Sequence, residues 1–163
     1  MEIMAIDRSD REELRQLELA LFKEYLDASQ AVKWGDISPE LIDRLGASSE
    51  DAFEFYLESG LSFVAKEEGV IVGFVFAQIM EHVESINKVA WIENLGVHPE
   101  YRRQGVAYRL MEKAINEAKA TEATAAFSSI RSDNLESIML HKKMGFLVDS
   151  RMMALMDFES ADL

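Results

Sequence analysis

The sequence predicts an α/β domain built around a parallel strand–helix–strand unit. Residues 89–97 are rich enough in β-branched and aromatic side chains to form a strand. A glycine-bearing turn follows, and then a helix whose apolar residues recur at steps of three and four, namely Val106, Leu110, Ala114, Ile115 and Ala118. A further strand at 125–130 comes at a spacing that suits a right-handed crossover, so the two strands are expected to run parallel.

Three helices are predicted in the first sixty residues. Ser9 and Glu12 form a capping-box pattern ahead of a long amphipathic helix. Ser38-Pro39 starts a short second helix, and a third is predicted from about Glu50 to Glu58, before a glycine. The residues between the first two helices have no clean period and are interpreted as a loop.

The rest of the predicted sheet surrounds this unit. Residues 61–66 and 70–80 are expected to pair around a Glu-Gly turn, and 82–88 then links them to the strand at 89–97. Residues 146–158 have strand-like composition and are predicted to close the sheet. The acidic residues after them are expected to be frayed.

Length and composition favour one domain covering 1–163, since the chain has 163 residues and no repeat or linker. The formal charge is −13, which disfavours nucleic acid and anionic membranes and would attract a cationic acceptor; an acidic surface that only keeps the protein in solution is the alternative. Without a long apolar run or a signal-peptide pattern, we expect a cytoplasmic protein with no membrane partner. Absence of cysteine excludes disulfides and a cysteinyl acyl-enzyme, and we predict no metal site.

The turn at 97–107, V-H-P-E-Y-R-R-Q-G-V-A, is interpreted as an anion-binding site. The first backbone N–H groups of a helix have no intrahelical partner and lie at the positive end of the helix dipole, so a phosphate is favoured there. The sequence contains neither the P-loop pattern nor the three-glycine dinucleotide fingerprint.

The pattern V-x-P-x-x-R-x-x-G-x-A in this turn resembles the acetyl-CoA signature [RQ]-x-x-G-x-[GA] of the GNAT N-acyltransferase superfamily. A second block, Asn134–Phe146, is similar to the family's N-x-x-[AS]-x-x-[LF]-Y-x-x-x-G-F helix. The resemblance covers roughly residues 62–147 and is weak before them. It implies the GNAT fold, a mixed and mostly antiparallel sheet of six to seven strands flanked by helices, with the parallel unit splayed at the acetyl-CoA site.

Acetyl-CoA is therefore the expected acyl donor, and the resemblance assigns residues to it. The turn and the first helical residues would bind the pyrophosphate, and backbone groups of the preceding strand would bind the pantetheine. Gly96 suits the bulge that this strand carries in the family. Asn134 is expected to cap the second-motif helix and to contact the cofactor. The cofactor-binding set is Leu95, Gly96, Val97, Arg102, Arg103, Gln104, Gly105, Val106, Ala107, Tyr108 and Asn134.

Glu93 and His141 are the candidate catalytic residues. An alkylamine with a pKa of about 10 is protonated near neutrality, so a base is useful. Glu93 lies where polyamine acetyltransferases, a branch that this segment resembles, carry a glutamate that deprotonates the amine through water; a solvated or lysine-paired carboxylate is the alternative. His141 replaces the tyrosine that commonly protonates the thiolate. An imidazolium could do so, or His141 only caps or packs its helix.

These expectations describe an acetyl-CoA-dependent N-acetyltransferase that moves an acetyl group to an amine by direct attack in a ternary complex. The acceptor could be a polyamine or another small amine, an antibiotic-like amine, or a protein amine. The negative charge slightly favours cationic small molecules. The alternative is a non-catalytic acyl-CoA sensor or interaction module of the same fold. Homodimers are frequent in the superfamily, and the sequence leaves the oligomeric state open.

Overall fold

The computed structural model describes residues 1–30 and 32–154 and divides into two compact units. The first unit spans Met1–Ser128, and the second begins at Ser129. The single domain expected over 1–163 stays a prediction.

The first unit contains a sheet whose five strands lie side by side in chain order, among the residues described. Neighbouring strands are antiparallel except for the last two, which are parallel as predicted. The strands are β1 (Glu2–Ala5), β2 (Phe63–Glu67), β3 (Val70–Val83), β4 (Ile86–Val97) and β5 (Ala125–Ser128). The helices of this unit are α1 (Arg11–Ser29), α2 (Pro39–Arg44), α3 (Glu50–Ser59) and α4 (Val106–Ala120).

Strand β3 lies in the middle of three layers, which explains its continuous buried run from Ile71 to Ala77. On one face, Phe74 and Phe76 belong to a core shared with α1 and α3. On the other face, a Cβ added at Gly73 would lie 3.1 Å from Val106 Cγ1, so α4 packs closely against that glycine. Helices therefore cover both faces of the strand.

The start of α1 corrects one local prediction. The capping box is formed by Asp7 and Asp10 at a 3-10 turn, and the predicted pair of Ser9 and Glu12 does not form it. Asp10 is buried, and its Oδ1 forms a 2.5 Å ion pair with Nζ of Lys66 in β2. The bonds of the cap itself are local, since Asp7 N donates to Asp10 Oδ2 at 3.0 Å and Ser9 N donates to Asp7 Oδ1 at 2.9 Å, so the capping signal lies two residues before the predicted one.

The other predicted helices are confirmed. Ser38 Oγ accepts a 3.2 Å hydrogen bond from Leu41 N at the start of α2. Helix α3 ends before Gly60, whose φ of 69° gives the left-handed conformation of a helix C-terminus. Residues 31–35 were expected to be a loop; within the described part, a 3-10 turn forms at Trp34–Asp36.

The predicted link over 82–88 is wrong, because both strands continue through it. Only Glu84 and Ser85 lie between β3 and β4, with φ of 50° and 66°. Two consecutive left-handed residues give the tight turn whose twist matches antiparallel strands. Neither residue is a glycine or an asparagine, so the sequence lacks the usual signal for such a turn.

The strand count also differs from the expected six to seven, since five strands form among the described residues. Strand β1 was not predicted, because this four-residue edge strand is mostly exposed and therefore has no apolar alternation. Residues 146–154 of the predicted last strand form no strand, and 155–158 lie outside the described residues. Leu147 and Met152 are almost fully exposed, so strand-forming composition alone gives no partner to pair with.

The second unit contains α5 (Leu135–Lys143). Asn134 caps it as predicted, because its Oδ1 accepts a 3.0 Å hydrogen bond from Ser137 N. Gly145 has a φ of 91° after the helix, and Phe146 N then donates to His141 O at 3.0 Å. The Phe146 and His141 rings meet edge to face at 4.9 Å.

Candidate active site

Glu93 occupies a β-bulge in β4. Asn94 pairs with Phe76 and Ile92 pairs with Ala77, so Glu93 is an extra residue opposite β3. A bulge bends its strand and changes the direction of the bulged side chain. The candidate base therefore lies at the irregular point of the strand.

Gly96 was expected to form this bulge, and that expectation is wrong. Gly96 pairs regularly with Phe74. A Cβ at this position would lie 2.6 Å from both Leu21 Cδ1 and Phe74 Cζ, which is too close for any real contact. Any larger residue would force Leu21 or Phe74 to move, because α1 packs directly against the strand backbone at this glycine.

The parallel pairing of β4 ends where the bulge begins. Strand β5 pairs with β4 only as far as Ile92 and Ser128. Beyond that point, His98 N donates to Val72 O at 2.9 Å, and alternate residues of an antiparallel strand direct their polar groups to opposite sides. Leu95 and Val97 therefore direct their N–H and C=O groups toward the edge where β5 has ended. The splay that the resemblance implies at this edge stays a prediction.

Helix α4 begins directly after the basic turn. Gly105 has a φ of 80°, no side chain caps the helix, and a Cβ at Gly105 would meet nothing within 4 Å. Arg103 is also left-handed, with a φ of 62°, and Gln104 Nε2 donates to Glu100 O at 2.9 Å. The buried Val106 fixes the first helical turn in the core. The open space at Gly105 and the uncapped start of α4, which continues through Ala107 and Tyr108, fit an approaching phosphate.

Arg102 has protein partners on both sides. Its Nη1 and Nη2 donate to the two carboxylate oxygens of Glu24 at 2.7 and 2.6 Å, and its Nε donates to Val97 O at 3.1 Å. This bidentate hydrogen bond with Arg102 lowers the pKa of Glu24. Arg102 thus ties the turn to α1 and β4, and its predicted contact with phosphate stays a prediction.

A cavity of about 440 Å³ opens beside the bulge. Its walls come from α1, the segment before α3, α3 itself and β4; the lining residues are Phe22, Gly46, Ala47, Ala52, Tyr56, Glu93 and Asn94. This volume is in the usual range for a small-molecule site. All of these residues belong to the first unit.

Two side chains lie beside the Glu93 carboxylate at this cavity. Trp91 Nε1 donates to Glu93 Oε2 at 2.7 Å. Tyr56, which is 7% exposed, lies close enough to Glu93 for the negative charge of the carboxylate to act on its hydroxyl. Burial first, and then the negative charges of Glu93 and Glu18, raises the pKa of Tyr56 to about 12. Tyr56 is therefore a neutral hydrogen-bond donor across the physiological range.

Glu18, a buried carboxylate behind the cavity wall, was not predicted from the sequence. Glu18 of α1 is 1% exposed. Its Oε1 accepts from Ala47 N at 3.1 Å and from Asn94 Nδ2 at 2.6 Å, and its Oε2 accepts from Ser48 N at 2.9 Å and Ser48 Oγ at 2.5 Å. A Cβ on Gly46 would collide with this carboxylate, so glycine is needed there. The available signal was a charged residue within the apolar stripe of α1.

The second unit contains the other two predicted site residues, Asn134 and His141. His141 is 2% exposed, and its Nδ1 lies 2.7 Å from Ser137 O, which makes Nδ1 the protonated nitrogen. Its Nε2 is buried without a hydrogen-bond partner among the described residues. Burial lowers the pKa of His141 more than the bond to Ser137 raises it, so the imidazolium is disfavoured at neutral pH. The general-acid role stays a prediction, and burial works against it.

Within residues 1–30 and 32–154, no group of three or more acidic or histidine side chains could hold a metal ion. In the same part of the chain, none of the helices has the length and apolar character needed to cross a membrane.

Comparison with known proteins gives the family. A family model described as "Protein of unknown function (DUF1999)" matches residues 1–162. The chain belongs to the DUF1999 family. This chain is also similar to the [Ribosomal protein bS18]-alanine N-acetyltransferase of Escherichia coli K12, with 27% identity over 89 residues, 55% of this chain and 56% of that protein. It is 26% identical over 99 residues to the L-amino acid N-acyltransferase MnaT of the same organism, covering 55% of this chain and 51% of that protein.

This member of the DUF1999 family thus matches these curated relatives over only about half of their length. Among solved structures, it is similar to the aminoglycoside N-acetyltransferase AAC(6')-Iy in complex with CoA, with a TM-score of 0.70 and 21% identity over 96% of this chain and 98% of that one. At that identity the likeness establishes the fold. These matches agree with the predicted similarity to N-acetyltransferases, since the sequence matches cover about half of the chain and the structural match establishes the shared fold over nearly all of it.

Proposed function

We propose that this protein transfers an acetyl group from acetyl-CoA to a primary amine by direct attack in a ternary complex. One observation carries the proposal. The bulge that presents Glu93 to the cavity lies where β4 loses its parallel partner, so the cavity lined by Glu93 adjoins the edge of β4 that β5 no longer pairs with. Direct transfer requires the attacking amine to reach the thioester, and a cavity that opens beside the cofactor edge would allow this contact.

The donor side rests on the residues between the strand and α4. The uncapped start of α4 and the open space at Gly105 would accept the pyrophosphate of acetyl-CoA. The backbone N–H and C=O of Leu95 and the N–H of Val97, whose C=O accepts from Arg102, would bond the pantetheine amides along the edge. A preorganised N–H at Leu95 would also stabilise the oxyanion that forms when the amine attacks, a contribution of a few kcal/mol.

The acceptor side rests on Glu93. Its carboxylate takes a proton from the bound ammonium, directly or through water, and the neutral nitrogen then attacks the thioester carbon. As the C–N bond forms, the C–S bond breaks and the thiolate of CoA leaves. The second proton of the attacking nitrogen passes to that thiolate. Because the amine attacks the thioester directly, no group of the protein carries the acetyl group at any step.

The relatives support an amine acceptor in general. Their names specify a ribosomal protein alanine, an L-amino acid and an aminoglycoside, which are chemically different amines. We propose the shared chemistry for this chain, N-acetylation, and not any one of these acceptors.

Thiol release from acetyl-CoA across a panel of amines tests this function, with mass spectrometry to detect a gain of one acetyl group. Glu93→Gln should lower the rate most at low pH, where the amine most needs a base. Glu81→Gln, which changes an exposed carboxylate of β3, is the matched control and should leave the rate unchanged. If CoA binds but no amine raises thiol release above hydrolysis, the sensor alternative replaces this proposal.

A further inference from the structure

We infer that the cavity selects amines with no carboxylate next to the amino group, and therefore disfavours free amino acids as acceptors. The inference rests on the proposed function and narrows its substrate class. It depends on which charges and hydrogen-bond donors the cavity wall supplies.

The described part of the cavity wall carries a negative charge. Among the seven described lining residues, Glu93 supplies a negative charge and none is a lysine, arginine or histidine. A protonated amine entering the cavity meets an opposite charge. The carboxylate of a free amino acid, held only two bonds from its nitrogen, would meet a like charge with no cation to offset it.

A second carboxylate lies directly behind the same wall. Glu18 accepts hydrogen bonds from Ala47 N and Asn94 Nδ2, and both of those residues line the cavity. Glu18 is almost completely buried, where the interaction between charges is less screened than in water. The local field therefore opposes a bound anion from two sides.

Two polar donors of the lining residues already have an acidic partner. The amide of Asn94 donates to Glu18 at 2.6 Å, and the hydroxyl of Tyr56 lies in the field of Glu93 and Glu18. The backbone N–H of Ala47 is likewise used by Glu18. A substrate carboxylate would lose its hydration in this cavity without gaining these donors.

The remaining walls suit the rest of an alkyl or aryl amine. The side chains of Phe22 from α1, Ala52 and Tyr56 from α3, and Ala47 are largely apolar. Aromatic faces attract an ammonium group, and apolar walls bury the carbon atoms attached to it. The cavity thus matches one positive charge on an otherwise uncharged molecule.

Matched pairs of acceptors test this selectivity on the unmodified chain. Glycinamide is compared with glycine, and phenylalaninamide with phenylalanine, by thiol release from acetyl-CoA, with rates expressed per neutral amine because an amide lowers the basicity of its neighbouring amino group. We expect kcat/KM for each amide to exceed that of its acid by at least about tenfold, because the acid brings an unpaired charge. Calorimetric titration of both compounds in the presence of CoA should show the same order of affinity.

A variant adds the missing cation. Ala52→Arg should narrow the ratio between amide and acid, whereas Ala52→Gln, of similar length but uncharged, should leave it wide. Equal rates for amides and acids in the unmodified protein would overturn the inference alone. If no amine of either kind is acetylated although CoA binds, the proposed function fails and the inference fails with it.

Discussion

Replacing Glu18 by glutamine is the sharpest test of how the first unit positions its cavity. The carboxylate is 1% exposed and accepts four hydrogen bonds, which come from two backbone N–H groups, one amide NH₂ group and one hydroxyl. The glutamine amide keeps the same shape, but its NH₂ group must face two of those donors. A buried donor without an acceptor costs about 1–3 kcal/mol, so the expected loss in the free energy of unfolding is about 2–4 kcal/mol after some relaxation.

Urea denaturation followed by circular dichroism measures this loss. Glu12→Gln is the matched control, since Glu12 lies on the exposed face of the same helix and bonds only Gln16 in the described contacts. It should change stability by no more than about 0.5 kcal/mol. If Glu18→Gln is as stable as Glu12→Gln, the network does not hold α1, the segment before α3 and β4 together, and the reasoning is refuted.

Three further predictions concern single side chains. Because burial lowers the pKa of His141, the unfolded chain takes up a proton near the ordinary value of 6.5 while the folded chain does not. Stability should therefore be full above that pH and fall as the pH drops through the lowered value. His141→Gln should flatten the plot of urea midpoint against pH, and His82→Asn should not. Tyr56→Phe should remove an ultraviolet titration step near pH 12 and reduce kcat/KM about tenfold or less, because the cavity loses the polar hydroxyl beside Glu93. An unchanged titration curve would contradict the assigned burial. Glu24→Gln should cost at most about 1 kcal/mol of stability, since the pair is half exposed. The variant also removes the negative charge that Arg102 pairs with, so Arg102 should attract the phosphates of CoA more strongly. Calorimetry should therefore show tighter CoA binding, with a larger gain at low salt than at high salt, and a salt-independent affinity would exclude an electrostatic effect.

Elements with local signals were predictable from the sequence. The helix over Val106–Ala120 has a regular apolar stripe, and α2 has Ser38 and Pro39 at its start. Strand β1 has neither signal, because it is short and exposed and exists only through its pairing with β2. The two-residue turn at Glu84 and Ser85 was missed because its left-handed residues are not those that usually mark it.

The candidate site divides in the same way. The turn proposed to bind phosphate is a contiguous motif, and Glu93 could be proposed as the base because it lies in a recognisable strand that resembles a known branch of the superfamily. The position of the bulge depends on the register between β3 and β4, which no local pattern contains. The partners of Glu18 lie between 29 and 76 residues away in sequence, so only the folded chain shows why a carboxylate occupies an apolar stripe.

The affinity of the turn for CoA tests the central claim most directly. Gly105 and Gly69 have φ of 80° and 84°, and a Cβ at either would meet nothing within 4 Å, so the same substitution strains both equally. Isothermal titration should show Gly105→Glu binding CoA at least about tenfold more weakly than the unmodified protein, because a carboxylate then occupies the phosphate site. Gly69→Glu, in the turn between β2 and β3, should bind normally. If Gly105→Glu folds and binds CoA as tightly as Gly69→Glu, the start of α4 does not hold the pyrophosphate and the account is wrong.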